Sequence, residues 1–147
     1  KRQGKVALKR LINSGLQNTS NTCVLIGSST YSRPWVRYEL LKSFKRDNHI
    51  FGVHINGIKG KDGETKDLGP NPLEYVGVTY SDDGATATLW EKSGGKWIKY
   101  EEIDGSASYS VSVGSSYRGK GFNLGKLYKT YKWNADDGYE NFASWVE

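Results

Sequence analysis

Glu39 lies four residues after Trp35, a spacing that places two side chains on one face of a helix. The face that holds Trp35 is apolar, so we expect the carboxylate beside the indole to be partly desolvated, and such a group can bind sugar hydroxyls or stabilise developing positive charge. The alternative is a surface glutamate that pairs with Lys42 or Arg46 at helical spacing. On spacing alone, the surface interpretation is favoured.

A small polar segment at residues 27–31 precedes this helix and could hold a ligand. Ser28 and Ser29 offer hydroxyls and amides to a phosphate or a sugar, and Tyr31, like Trp35, could shape a pocket for a flat ring. His54 lies near the carboxyl end of a second apolar run and could line the same cleft, although a lone histidine is more often structural. No G-x-S-x-G elbow is present, which argues against a serine nucleophile.

The elements that position these residues alternate over the first 57 residues. An apolar stripe predicts a helix over residues 4–18, and Ser32 is the predicted N-cap of a second helix that ends near Arg46. The runs 22–26 and 50–55 are apolar without alternation, which is typical of strands covered on both faces. This order predicts a right-handed βαβ unit, whose ligand site lies at the carboxyl ends of the strands.

The remaining sequence has a different pattern of residues, with loop formers and predicted strands. Residues 56–74 are rich in loop formers, and the segments 86–91 and 96–100 flank a Ser-Gly-Gly turn that predicts a β-hairpin. A short amphipathic helix is predicted after Gly138, whereas residues 105–126 give no clear pattern. We therefore expect a single domain over residues 1–147, with an α/β core in 1–80 and a C-terminal extension in 81–147.

Composition limits the function. The chain has 147 residues, a net charge of +5 and no apolar stretch long enough to cross a membrane. The single cysteine, Cys23, cannot form an internal disulfide and indicates a reducing, cytoplasmic location. One cysteine and two histidines give little basis for a metal site. Since the sequence contains no methionine, we expect a further segment to precede Lys1 in the gene product.

Residues 25–39 resemble the signature of TIR domains: a strand, a serine, an aromatic residue, a serine, then tryptophan and a glutamate four residues later. The sequence is more similar still to the bacterial TIR-like proteins of the Thoeris anti-phage system. Four segments carry this resemblance, namely residues 7–13, 35–39, 69–72 and 135–146.

The resemblance implies a flavodoxin-like α/β fold, with a parallel sheet and helices on both faces, extended here by the hairpin and the short helix. It also implies that NAD is a substrate, cleaved at its nicotinamide–ribose bond, with no cofactor. The glutamate matching Glu39 would be catalytic, and the product would be a cyclic ADP-ribose-type messenger for a partner effector. The family's first strand and helix have no counterpart in this sequence.

Two other functions remain open at this point. The first is a non-catalytic TIR-like interaction module, in which Trp35 and Glu39 are structural and the surface recruits other TIR domains, including copies of this chain. The second is a nucleic-acid-binding domain that uses the basic residues and the aromatic residues of the 86–100 hairpin. The sequence has no recognised nucleic-acid motif, so we do not expect a nucleic-acid partner.

Overall fold

The protein is described by a computed structural model, which covers residues 20–58 and 68–146. The predicted helix over residues 4–18 lies outside the described residues, and so does the middle of the predicted loop at 56–74. The described part contains eight strands, two α-helices and three short 3-10 turns, at Thr30–Ser32, Pro72–Tyr75 and Leu124–Lys126.

The predicted βαβ unit is present. Strand β1 (Asn21–Ile26) leads through helix α1 (Pro34–Lys45) to strand β2 (His49–His54), and the two strands pair in parallel along their whole length. A third strand, β8 (Thr130–Lys132), pairs in parallel with the other edge of β2, giving the order β1-β2-β8. Because β8 has only three residues, its sequence has no periodicity that could have predicted it.

Helices cover both faces of this parallel sheet, as predicted. Ile50 of β2 packs in one apolar cluster with Leu40 and Leu41 of α1. Phe51, the next residue along β2, points to the opposite face and joins the cluster of Phe142, which lies on helix α2 (Gly138–Trp145). The alternation of side chains along one central strand therefore attaches a helix to each side of the sheet.

A second sheet is antiparallel and contains the predicted hairpin. Its five strands are β3 to β7, in the order β5-β4-β3-β7 with β6 also paired to β4: Val76–Tyr80, Thr86–Ser93, Lys96–Lys99, Ser108–Ser110 and Gly121–Asn123. Gly94 and Gly95 form the β4–β5 turn with φ angles of +59° and +77°. Two consecutive positive φ values are what a tight hairpin turn requires, and glycine adopts them without strain.

The two sheets share one core around helix α1. Leu40 and Leu41 are fully buried between Ile50 of the parallel sheet and Val78 and Leu89 of the antiparallel sheet. The expected boundary at residue 80 does not separate the two sheets, since β3 precedes it in the antiparallel sheet and β8 follows it in the parallel sheet. The two portions of the chain are thus interleaved.

One local expectation is wrong. Ser32 does not cap α1, because residues 30–32 form a 3-10 turn in which the Ser32 hydroxyl donates to the Ser29 carbonyl. The N-cap is Arg33, whose backbone is extended, as expected for a residue before proline. Strand β1 packs against both clusters, as expected, through Val24 on one face and through Cys23 and Leu25 on the other. It is only half-buried because it lies at the edge of the described sheet.

Candidate active site

A cleft of about 680 Å³ opens where the two longer parallel strands end. Its walls are the edge strand β1, the segment between β1 and α1, the first turns of α1, and the two residues that follow β2. This is the location at which open parallel sheets bind their ligands. The described residues that line it are Thr22, Cys23, Val24, Leu25, Gly27, Ser28, Ser29, Thr30, Arg33, Trp35, Val36, Glu39, Leu40, Ile55 and Asn56.

Glu39 and Trp35 lie together at this cleft, as the spacing predicted. Trp35 is 65% exposed and Glu39 is also exposed, whereas Val36 and Leu40 beside them are buried. The expectation that Trp35 lies on the apolar core face of α1, and that it desolvates the carboxylate in the free protein, is therefore wrong. The core takes the stripe through Val36, Leu40 and Leu41, and the adjacent stripe faces the cleft.

Surface ion pairing does not account for Glu39. Glu39 forms no salt bridge with any described residue. The two salt bridges found among those residues are Arg37–Glu91 and Lys45–Asp104. The Lys42 ammonium instead lies 5.3 Å from the ring centre of Tyr38. Glu39 thus presents an acceptor group to the cleft that the described protein does not use internally.

The serine segment is held in place by its own hydrogen bonds. The backbone N–H of Gly27 donates to the Thr30 hydroxyl at 2.8 Å, and the chain then makes a 3-10 turn. Ser28 and Ser29 are both exposed and line the cleft. The backbone at Gly69 packs directly against this turn. A Cβ atom on residue 69 would collide with the Gly27 carbonyl, so only glycine allows this close approach.

Tyr31 lies on the other side of this turn. Its ring contacts that of Tyr75, with the centroids 5.0 Å apart, and it lines a separate pocket of about 540 Å³ with Arg37 and Glu91. Tyr31 is not among the described residues that line the cleft. The prediction of a substrate contact by Tyr31 therefore gains no support from its position.

His54 also lies away from the cleft lining. It is 9% exposed at the end of β2, and its Nδ1 atom has no hydrogen-bond partner among the described residues. Burial, with a smaller contribution from the charge of Lys132, holds the pKa of His54 below its usual value. A neutral, buried imidazole is typical of a structural histidine, the interpretation that is commoner for a lone residue.

Four polar residues of the cleft were not singled out from the sequence, namely Thr22, Thr30, Arg33 and Asn56. Asn56 follows the second parallel strand, so the rule about carboxyl ends could have found it. Arg33 was passed over because it stands between the expected N-cap and the proline, yet this position sets it at the rim of the cleft beside Trp35. A guanidinium there is suited to an anionic group of a ligand.

Cys23 lines the cleft as a free thiol. Burial raises the pKa of its thiol to about 12, which leaves almost no thiolate at neutral pH. Within the described ranges, no cluster of three His, Cys, Asp or Glu side chains could hold a metal ion. The helices of the same ranges include none that is long and apolar enough to cross a membrane.

The fold and the cleft define a class of protein, and comparisons with known proteins agree with it. Residues 1–59, which include every described residue of the cleft, match the family described as "Thoeris protein ThsB, TIR-like domain". The chain belongs to this family. A relative from Bacillus cereus (strain MSX-D12), named "Putative cyclic ADP-D-ribose synthase ThsB1", is 51% identical over 148 aligned residues, which cover 99% of this chain and 76% of the relative.

Proposed function

We propose that this chain is an enzyme that cleaves the nicotinamide–ribose bond of NAD and closes the remaining ADP-ribosyl group into a cyclic ADP-ribose-type product. The observation that carries the proposal is the exposed Glu39 carboxylate, set beside Trp35 in a cleft at the carboxyl ends of parallel strands. The similarity to a relative named as a cyclic ADP-D-ribose synthase supports the same chemistry.

Glu39 would act on the ribose. When the bond between C1′ and the pyridinium nitrogen breaks, its electron pair leaves with neutral nicotinamide, and positive charge develops on C1′ and the ring oxygen. A carboxylate next to that centre stabilises the charge and accepts hydrogen bonds from the ribose hydroxyls. The carboxylate is exposed to water in the free protein. Binding of the dinucleotide would remove this water and so strengthen the interaction of the carboxylate with the positive charge.

The neighbouring residues supply binding groups. The exposed indole of Trp35 offers a flat surface to the nicotinamide or adenine ring. The hydroxyls of Ser28 and Ser29 can donate to ribose or phosphate, and the Arg33 guanidinium can bind the diphosphate. Capture of C1′ by a nucleophilic atom of the same molecule gives the cyclic product, whereas capture by water gives ADP-ribose.

The exposure of Glu39 and Trp35 favours this enzyme over a non-catalytic interaction module in which both residues serve packing. In the proposed role, the product is a soluble signal for a partner effector in anti-phage defence. The half-buried free thiol of Cys23 fits the reducing environment of the cytoplasm, where NAD is abundant. Self-association of the chain is compatible with this function but is not needed for the chemistry described.

The test is an assay of products. The chain is incubated with NAD, with and without lysate from phage-infected cells, and nicotinamide and nucleotide products are quantified by chromatography and mass spectrometry. We expect nicotinamide together with a species that has the mass of ADP-ribose minus water. Release of plain ADP-ribose would show that the protein is a hydrolase. The absence of nicotinamide release under both conditions would contradict the proposed enzymatic activity.

A further inference from the structure

Arg37 lies on α1 between Trp35 and Glu39, yet its side chain turns away from the cleft. Its Nε and Nη2 atoms both donate to the backbone carbonyl of Tyr31, at 3.3 and 3.2 Å, and Nη1 donates to Glu91 Oε1 at 3.0 Å. The residue is only 9% exposed. A charged side chain buried to this extent needs partners for its charge and its donors, and these contacts supply them.

The Arg37 contacts join three separate parts of the protein. Tyr31 belongs to the turn before α1, Glu91 lies on β4 of the antiparallel sheet, and the guanidinium carbon is 5.7 Å from the ring centre of Tyr75. Because the guanidinium is planar, the direction of its Nη1 bond to Glu91 also fixes the direction of the two bonds to Tyr31. The antiparallel sheet thereby sets the position of one carbonyl in the turn.

That carbonyl lies in the middle of the segment that forms the mouth of the cleft. Ser28 and Ser29 precede Tyr31, and Arg33 and Trp35 follow it, all four of them lining the cleft. The N–H of Gly27 is bonded to Thr30, so the segment is held at its beginning by its own side chain and in its middle by Arg37. A shift of Tyr31 would therefore move binding groups on both sides of it.

We infer that Arg37, held by Glu91, is a positioning residue for NAD cleavage: it keeps the 27–33 segment in the geometry that sets the substrate against Glu39. This inference rests on the proposed function for its catalytic effect. Displacement of reacting groups by about 1 Å can lower a rate by about a hundredfold. Arg37 itself touches neither the cleft nor, in this account, the substrate.

The variants for the test are Arg37→Lys, Arg37→Ala and Glu91→Gln. Lysine keeps the charge but cannot bond Tyr31 twice and Glu91 once in one plane. Lys45→Gln is the matched control, because the Lys45–Asp104 pair also joins α1 to a distant part of the chain but lies at the opposite end of the helix. Each protein is assayed for nicotinamide release, thermal unfolding and amide hydrogen exchange resolved along the chain.

For Arg37→Lys we expect a folded protein whose kcat falls about tenfold to a hundredfold and whose amides at 27, 32 and 33 exchange faster, since these N–H groups bond within the segment. Glu91→Gln should show a smaller change in the same direction, and Lys45→Gln none. Millimolar methylguanidinium should partly restore the kcat of Arg37→Ala, because the 540 Å³ pocket gives it access to the vacated position.

Two results would overturn the inference. One is a folded Arg37→Lys protein with unchanged kcat and unchanged exchange at residues 27–33. The other is faster exchange spread over the whole chain, which would make Arg37 a general stabilising residue. If the unaltered chain itself releases no nicotinamide, the proposed function fails, while the exchange measurement still decides whether Arg37 holds the segment.

Discussion

Two of the cavities in the described part of the protein are lined by tryptophan, and they differ in what surrounds the indole. The cleft at the parallel sheet combines Trp35 with a carboxylate, a guanidinium and two serine hydroxyls. The second cavity, about 380 Å³ on the antiparallel sheet, is lined by Trp90 and Trp97 over Gly77 and Gly121, and none of its described lining residues is charged. An aromatic wall alone offers a surface for packing, whereas the cleft adds the groups that glycosidic bond cleavage needs.

The indoles themselves are also held differently. The Nε1 atom of Trp90 donates to the Thr79 hydroxyl at 2.8 Å, which fastens the ring across the neighbouring strand β3. Trp35 lies in the first turn of α1 and is 65% exposed, and no hydrogen bond of its indole to another described residue is found. We therefore expect Trp90 to contribute to stability and Trp35 to contribute to ligand binding, and variants can separate the two.

The largest expected effect is that of Glu39→Gln. The variant keeps the shape of the side chain but removes the negative charge that stabilises the developing cation, so kcat for nicotinamide release should fall about 10²–10³-fold. Thermal unfolding should not change, because Glu39 is exposed. The matched control is Glu101→Gln, because Glu101 is an exposed glutamate outside the cleft. An equal loss of kcat in both variants would show that the position of Glu39 in the cleft is not what matters.

Next in size is Trp90→Ala. Loss of the partly buried indole and of its bond to Thr79 should lower the free energy of unfolding by about 2 kcal/mol, measured by chemical denaturation. The kcat of the folded fraction should stay at the level of the unaltered protein. A stable variant with lower kcat would instead connect this cavity with the reaction.

Trp35→Ala should show the reverse pattern. Because the side chain is mostly exposed, the free energy of unfolding should change by no more than about 0.5 kcal/mol. The KM for NAD should rise about tenfold as the stacking surface for a flat ring is lost. Steady-state kinetics alongside denaturation measures both, and loss of stability without a change in KM would remove Trp35 from the binding surface.

The smallest effect concerns pH. Since the pKa of His54 is lowered in the folded protein from a usual value of 6.5, the unfolded chain binds more protons as the pH falls through that value. Stability should therefore be complete above pH 6.5 and decline below it. In denaturation curves from pH 7.5 to 5.5, His54→Gln should flatten this decline; an unchanged slope would show that another group causes it.

The sequence allowed the local part of this architecture to be predicted. Apolar runs and turn residues are short-range signals, so the β1–α1–β2 unit, the hairpin and helix α2 could all be recognised. The Trp35–Glu39 spacing predicted that both side chains lie on one face, and both line the cleft. The serine segment at the end of β1 followed from the rule for parallel strands.

What could not be predicted depends on contacts between distant positions. The hydrogen bond of Arg37 to Glu91 joins residues 54 positions apart, and the sequence near either residue contains no pattern that predicts it. Strand β8 is defined by its pairing with β2 rather than by its three residues. Tyr31 packs against Tyr75, and Trp35 faces solvent. Both placements likewise depend on how distant parts of the chain pack around α1, which the local sequence does not reveal.

The most direct test of the central claim is a crystal structure of the Glu39→Gln protein with NAD bound, since the variant should hold the dinucleotide without cleaving it. The account predicts the nicotinamide ribose within hydrogen-bond distance of residue 39, with a ring of the dinucleotide against Trp35. NAD bound in the Tyr31–Tyr75 pocket or against Trp90 and Trp97, with the cleft empty, would contradict it.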